Sequence, residues 1–112
     1  MNTLVRYSNT IGGVSLPGDS TFESFDPFTG KPWALIPRCG ADEVDHAVQT
    51  AHRAFKSGPW RDMHASARGR LLVKLADLIA ANAERLGALE THDTGKLINE
   101  MGAQLRYIPE WY

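Results

Sequence analysis

Residues 21–36, TFESFDPFTGKPWALI, decide how the front of the chain folds. Two runs prone to β structure, Thr21–Phe25 and Trp33–Ile36, lie on either side of the sequence Asp26-Pro27-Phe28-Thr29-Gly30. Proline restricts φ and glycine tolerates positive φ, so this sequence is typical of a chain reversal. The region up to residue 38 is also rich in Gly, Pro, Ser and Thr, and we expect two or three short antiparallel strands there.

The pattern changes to that of a helix after Gly40. Apolar residues recur at the helical period over about residues 41–56, which predicts one amphipathic helix. Asp42 and Glu43 lie in its first turn, where negative charge complements the helix dipole, and Gly58-Pro59 is a stop signal. The residues on the apolar face are Val44, Ala47, Val48, Ala51 and Phe55.

Three further helices are predicted in the second half. One begins near His64, a second is capped by Asn82, and the last is kinked or ended by Pro109, which lacks a backbone donor. Asp93-Thr94-Gly95 separates the last two, and His92 falls in that turn. Their apolar stripes contain Leu71, Leu72, Leu75, Leu78 and Ile79, then Leu86 and Leu89, then Leu97, Ile98, Met101, Leu105 and Ile108.

The composition fits one modest globular domain. The chain has 112 residues, of which 43% are hydrophobic and 22% charged. Its formal charge of −1 provides no excess of positive potential for nucleic acid or for an anionic membrane surface. The single cysteine excludes an internal disulfide, and we expect a reducing, cytoplasmic location.

The histidines and the cysteine form no pattern typical of metal binding or of nucleophilic catalysis. Cys39 follows a short strand without a positioned base, which favours a structural or incidental thiol over a nucleophile. His46 and His52 are six residues apart and therefore lie on different faces of the predicted helix, facing solvent. Gly95-Lys96 lacks the upstream glycine and the following Ser or Thr of a phosphate-binding loop.

The predicted helices have more apolar surface than the few strands at the front can cover. No buried parallel strand rich in Val and Ile occurs, and the sequence ends in Glu110-Trp111-Tyr112 without a polar tail. We therefore expect a truncated chain.

Four segments, read together, are similar to the start of the aldehyde dehydrogenases. They are Thr21–Gly30, Asp42–Phe55, Arg68–Ile79 and Leu89–Lys96. The corresponding family patterns are F-x-x-x-N-P-x-T-G, D-V-D-x-A-V-x-x-A, R-x-x-L-L-x-x-L-A-D-x-I and E-T-x-D-T-G-K. This chain departs from them in small ways, with Asp26 where Asn is usual and His64 where a Ser or Thr cap is common.

The resemblance implies an α/β parent fold, in which residues 1–112 are an incomplete amino-terminal part of a Rossmann-like cofactor-binding domain. The complete enzyme would be an oxidoreductase that converts an aldehyde to a carboxylic acid with NAD or NADP, and relatives are usually dimers or tetramers. Their catalytic cysteine, glutamate and asparagine all lie downstream. The resemblance therefore places no catalytic or cofactor-binding residue in this chain, and we expect it to be inactive alone.

One family site extends into this region. Many members bind a monovalent cation, K⁺ or Na⁺, through two backbone carbonyls before the Pro-x-Thr-Gly turn and the Asp of the D-T-G turn. The matching residues are Ser24, Phe25 and Asp93. The alternative is that Asp93 only caps the Thr94-Gly95 turn, as Asp often does.

Two other functions stay open at the level of sequence. The chain could be a helical interaction module whose uncovered apolar faces bind a partner, or a remnant without function.

Overall fold

The computed structural model describes residues 4–112, so residues 1–3 of the predicted domain lie outside the described part. The fold is mixed α/β, as predicted, and residues 4–112 contain five short strands followed by five α-helices and a 3-10 helix. The chain divides into two compact units. Residues up to Phe25 and Lys31–Asp62 form the first unit, and Asp26–Gly30 together with Met63–Tyr112 form the second.

The two predicted strand runs are confirmed as β4 (Ser20–Asp26) and β5 (Lys31–Arg38). They are neighbours in a three-stranded sheet of order β1-β5-β4. Parallel neighbours need a connection of a dozen or more residues, so the short turn between β4 and β5 makes this pair antiparallel.

The expectation of antiparallel strands alone is wrong for the third member of the sheet. Strand β1 (Val5–Arg6) pairs with β5 in parallel, with Val5 opposite Ala34. The long connection between β1 and β5 makes this direction possible, because it returns the chain to the same end of the sheet. Ala34 is fully buried at this pairing.

That connection contains a separate hairpin. Strands β2 (Asn9–Ile11) and β3 (Val14–Leu16) pair antiparallel around Gly12 and Gly13, whose φ values are +60° and +81°. Two consecutive residues with positive φ are what a tight two-residue hairpin turn requires. A side chain at Gly12 would also approach Thr50 of the first helix to 2.9 Å, so glycine allows the hairpin to lie close to that helix.

Helix α1 (Ala41–Lys56) has the predicted bounds. Asp42 and Glu43 lie in its first turn, and the Glu43 carboxylate accepts a hydrogen bond from the Gly40 N–H at 2.7 Å. The stop at Gly58-Pro59 holds, but the sequence did not reveal that Pro59 begins a short helix, α2 (Pro59–Asp62). Proline suits a first helical position because its missing N–H would have no partner there.

The second unit contains the remaining helices in the predicted order. They are α3 (Ala65–Ala81), α4 (Ala83–Thr94), α5 (Ile98–Tyr107) and the 3-10 helix Ile108–Trp111. Helix α4 packs on α5, and α3 packs on α5 and on the 3-10 helix. Met101 of α5 is 2% exposed, and Gly87 of α4 lies close to it, so the contact between these two helices is part of the core of the unit.

The residues predicted at the starts of α3 and α4 are in the expected positions, but Asn82 does not cap the helix that follows it. His64 and Asn82 are the residues that precede α3 and α4, as predicted. The Asn82 amide, however, donates to the Leu78 carbonyl at 2.8 Å and so satisfies the end of α3 instead of the start of α4. None of the helices within residues 4–112 is long and apolar enough to cross a membrane.

Candidate functional site

The Asp26–Gly30 turn is organised by the Asp26 side chain. Its Oδ1 accepts hydrogen bonds from the N–H groups of Phe28, at 2.8 Å, and Thr29, at 3.4 Å. The Gly30 N–H donates to the Asp26 carbonyl at 2.8 Å, and Gly30 has a φ of +65°. This confirms the predicted chain reversal, and it explains why an Asp or Asn suits the first position.

The other oxygen of Asp26 faces the end of α4. Its Oδ2 lies 3.3 Å from Nδ1 of His92. Asp26 is 7% exposed and is the one buried charged residue in the described part of the chain. We expected His92 to lie in the connection between two helices, and this is wrong. His92 is part of α4, which continues through Thr94 before Gly95 ends it.

Burial and hydrogen bonding act on Asp26 in opposite directions. Burial raises the pKa of its carboxyl group, because it disfavours the charged form. The N–H groups of Phe28 and Thr29, the Thr29 hydroxyl and the charge of His92 lower the pKa, and together they outweigh burial. The net pKa lies below the ordinary 3.8, so Asp26 is a carboxylate at neutral pH.

Gly95, which ends α4, also lies close to the Asp26–Gly30 turn. Gly95 has a φ of +75°, the left-handed conformation that favours glycine after a helix. A Cβ placed on Gly95 would lie 3.2 Å from Cγ and 3.3 Å from Cβ of Pro27. The Pro-x-Thr-Gly and Asp-Thr-Gly segments of the sequence therefore lie close together at Pro27 and Gly95, and we call this place the junction.

The residues around Gly95 close the carboxyl end of α4. The Thr94 hydroxyl donates to the Glu90 carbonyl at 2.7 Å, and the Lys96 ammonium lies 2.8 Å from the Glu90 carboxylate. A positive side chain is favourable at this end of a helix. These contacts explain how the D-T-G-K segment ends the helix.

A surface cavity of about 320 Å³ adjoins the junction, and Asp26, His92 and Lys96 line it together with the apolar side chains of Phe28 and Leu97. Its volume is near the lower limit for small-molecule sites. Both oxygens of Asp26 and the Lys96 ammonium already have partners, so the cavity offers few polar groups for a ligand.

The three predicted cation ligands belong to different units. Ser24 and Phe25 lie in β4 of the first unit, and Asp93 lies in the last turn of α4 in the second. The cation site stays a prediction. Thr94 and Lys96 make the contacts with Glu90 described above.

The remaining candidates are Cys39 and the two histidines of α1. Cys39 is exposed, and its Sγ accepts a hydrogen bond from the Asn9 amide at 2.7 Å. His46 and His52 are exposed on α1, as predicted. Within residues 4–112, no group of three or more His, Cys, Asp and Glu side chains could hold a metal ion.

Comparison with known proteins identifies the family. Residues 15–112 match the model of the aldehyde dehydrogenase family. The chain belongs to this family. The resemblance of the four sequence segments is thereby confirmed, because all four lie within the matched residues.

Individual relatives agree with this assignment. The chain is 46% identical over 102 residues to (Z)-2-((N-methylformamido)methylene)-5-hydroxybutyrolactone dehydrogenase of Acinetobacter baylyi, covering 91% of this chain and 21% of that protein. It is 39% identical over 100 residues to acetaldehyde dehydrogenase 2 of Cupriavidus necator, covering 88% of this chain and 19% of that protein. The chain thus spans about a fifth of the length of these curated relatives.

Solved structures show the same relation. The NAD-dependent aldehyde dehydrogenase of Sinorhizobium meliloti superposes with a TM-score of 0.90 at 32% identity, over 96% of this chain and 22% of that one. The aldehyde dehydrogenase of Bacillus cereus in complex with NAD⁺ superposes with a TM-score of 0.82 at 33% identity, over 98% and 24% respectively. The mixed α/β fold of these enzymes is therefore present in this segment.

Proposed function

We propose that this chain is the amino-terminal part of the cofactor-binding domain of an NAD(P)-dependent aldehyde dehydrogenase. The complete protein would oxidise an aldehyde to a carboxylic acid, with water supplying the oxygen and NAD or NADP accepting the hydride. The supporting observation is that 96% of the chain superposes on only 22% of a solved NAD-dependent enzyme of this family.

The role proposed for these residues is structural support of that domain. Helix α1 has no buried residue, and Val44, Val48 and Phe55 on its apolar face are 57%, 59% and 74% exposed. Burying a side chain of this size contributes about 1.5–3 kcal/mol. In the complete protein, later elements would pack on this face.

The reactive groups would come from residues outside this chain. Oxidation of an aldehyde by this family requires a nucleophile, a general base and groups that hold the oxyanion. The one thiol of the chain, Cys39, is exposed and bonded to the Asn9 amide. We therefore assign no catalytic or cofactor-binding role to residues 4–112.

Separate assays of the isolated chain and of the native protein test this division. NAD(P)H formation with a panel of aldehydes should occur with the native protein and not with the isolated chain. Turnover by the isolated chain would contradict the proposal. The variant Cys39→Ser would then show whether the only thiol is its nucleophile.

The proposal also covers the substrate, location, assembly and partners of the complete protein. A small-molecule aldehyde is the substrate, the protein is a cytoplasmic homo-oligomer, and neither nucleic acid nor a membrane is a partner. The formal charge of −1 supports the exclusion of these two partners, and the single cysteine supports a reducing location. Native light scattering tests the assembly, and a monomer would contradict it.

A monovalent cation completes the proposal. The backbone carbonyls of Ser24 and Phe25 and the Asp93 carboxylate would hold K⁺ or Na⁺. Two neutral oxygens and one carboxylate supply a single negative charge, which suits a hard monovalent ion.

The variant Asp93→Ala in the complete enzyme tests the cation. We expect it to lose the rise in Tm that added K⁺ gives the native enzyme and to lose the K⁺ dependence of its activity. Asp77→Ala, which removes an exposed carboxylate on α3, is the control. Unchanged K⁺ dependence in Asp93→Ala would contradict the site and leave the dehydrogenase assignment intact.

A further inference from the structure

No further inference is drawn: the strongest candidate, the cavity at the end of α4 lined by Asp26, His92 and Lys96, belongs to the junction already described, and its charged side chains are paired with one another or with Glu90.

Discussion

Helices α1 and α5 are both amphipathic, yet they use their apolar faces differently. Met101 of α5 is 2% exposed and packs beside Gly87 of α4, whereas Val48 of α1 is 59% exposed. The α4–α5 pair thus buries its apolar contact within the described residues, and α1 does not. An amphipathic pattern predicts that a helix has a face to bury, but it does not say which element covers that face.

This contrast fits the proposed division of the protein. Residues that pack within this chain stabilise it by themselves, and residues such as Val48 gain their stabilisation only when further structure covers them. Substitutions at the two kinds of position should therefore differ in the isolated chain.

The largest effect is expected for Met101→Ala. Truncating a buried Met leaves a cavity and removes buried apolar surface, which costs about 2–5 kcal/mol. Val48→Ala in the isolated chain should change the free energy of unfolding by only about 0.5 kcal/mol, as exposed substitutions do. Urea denaturation of both variants measures the difference, and equal losses would remove the contrast between the helices.

Gly95→Ala should have the next largest effect, because it places a Cβ against Pro27 and forces an L-residue into a left-handed conformation. The conformation alone costs about 1–2 kcal/mol. Thermal unfolding of Gly95→Ala is therefore expected to show a larger loss of stability than that of Gly30→Ala.

Two other glycines distinguish the cost of the left-handed conformation from the cost of the contact with Pro27. Gly30 has a φ of +65°, but the space that a Cβ would occupy is open, so Gly30→Ala reports the conformational cost without the contact. Gly69 lies within α3 with open space and no positive φ, so Gly69→Ala should stabilise the chain by about 0.5–1 kcal/mol. If Gly95→Ala costs no more than Gly30→Ala, the contact with Pro27 is unimportant.

The smallest effect is expected for Asp26→Asn, because the amide oxygen can still accept the hydrogen bonds from Phe28 and Thr29. The contribution of the Asp26 charge to the free energy of unfolding should become visible at acid pH. The pKa of Asp26 is lower in the folded chain than its ordinary 3.8, so ionisation stabilises the fold above pH 3.8. That contribution is lost as the pH falls through the folded-state pKa.

Acid unfolding of the native chain and Asp26→Asn measures this effect. The difference in the free energy of unfolding between the two should be constant at neutral pH. As the pH falls below 3.8, the native chain should lose stability relative to the variant. A difference that is the same at all pH values would show that the Asp26 charge contributes nothing. His92→Ala, measured alongside, reports how much of the charge effect depends on that partner.

Local signals explain the parts of the fold that were predicted from sequence. The bounds of α1 and the Asp26–Gly30 turn depend on the spacing of neighbouring residues and on the conformations of Pro and Gly. The family resemblance depends on four such segments in the same order, and the family match to residues 15–112 confirms it.

Contacts between residues distant in sequence could not be predicted in this way. The parallel pairing of Val5 with Ala34 depends on how a long connection returns the chain. The Asp26–His92 contact depends on where α4 ends, and the sequence placed His92 in a turn. That Gly95 ends a helix and that Asp26 begins a turn could both be predicted, but the close approach of Gly95 to Pro27 in that turn could not.

The intact mass of the native protein that contains these residues tests the central claim most directly. NAD(P)-dependent aldehyde oxidation should be assayed in the same fraction. A mass several times the 12.4 kDa of this chain, together with activity, is the result we predict. A mass equal to that of 112 residues, without activity, would contradict the dehydrogenase assignment and would favour an interaction module or a remnant.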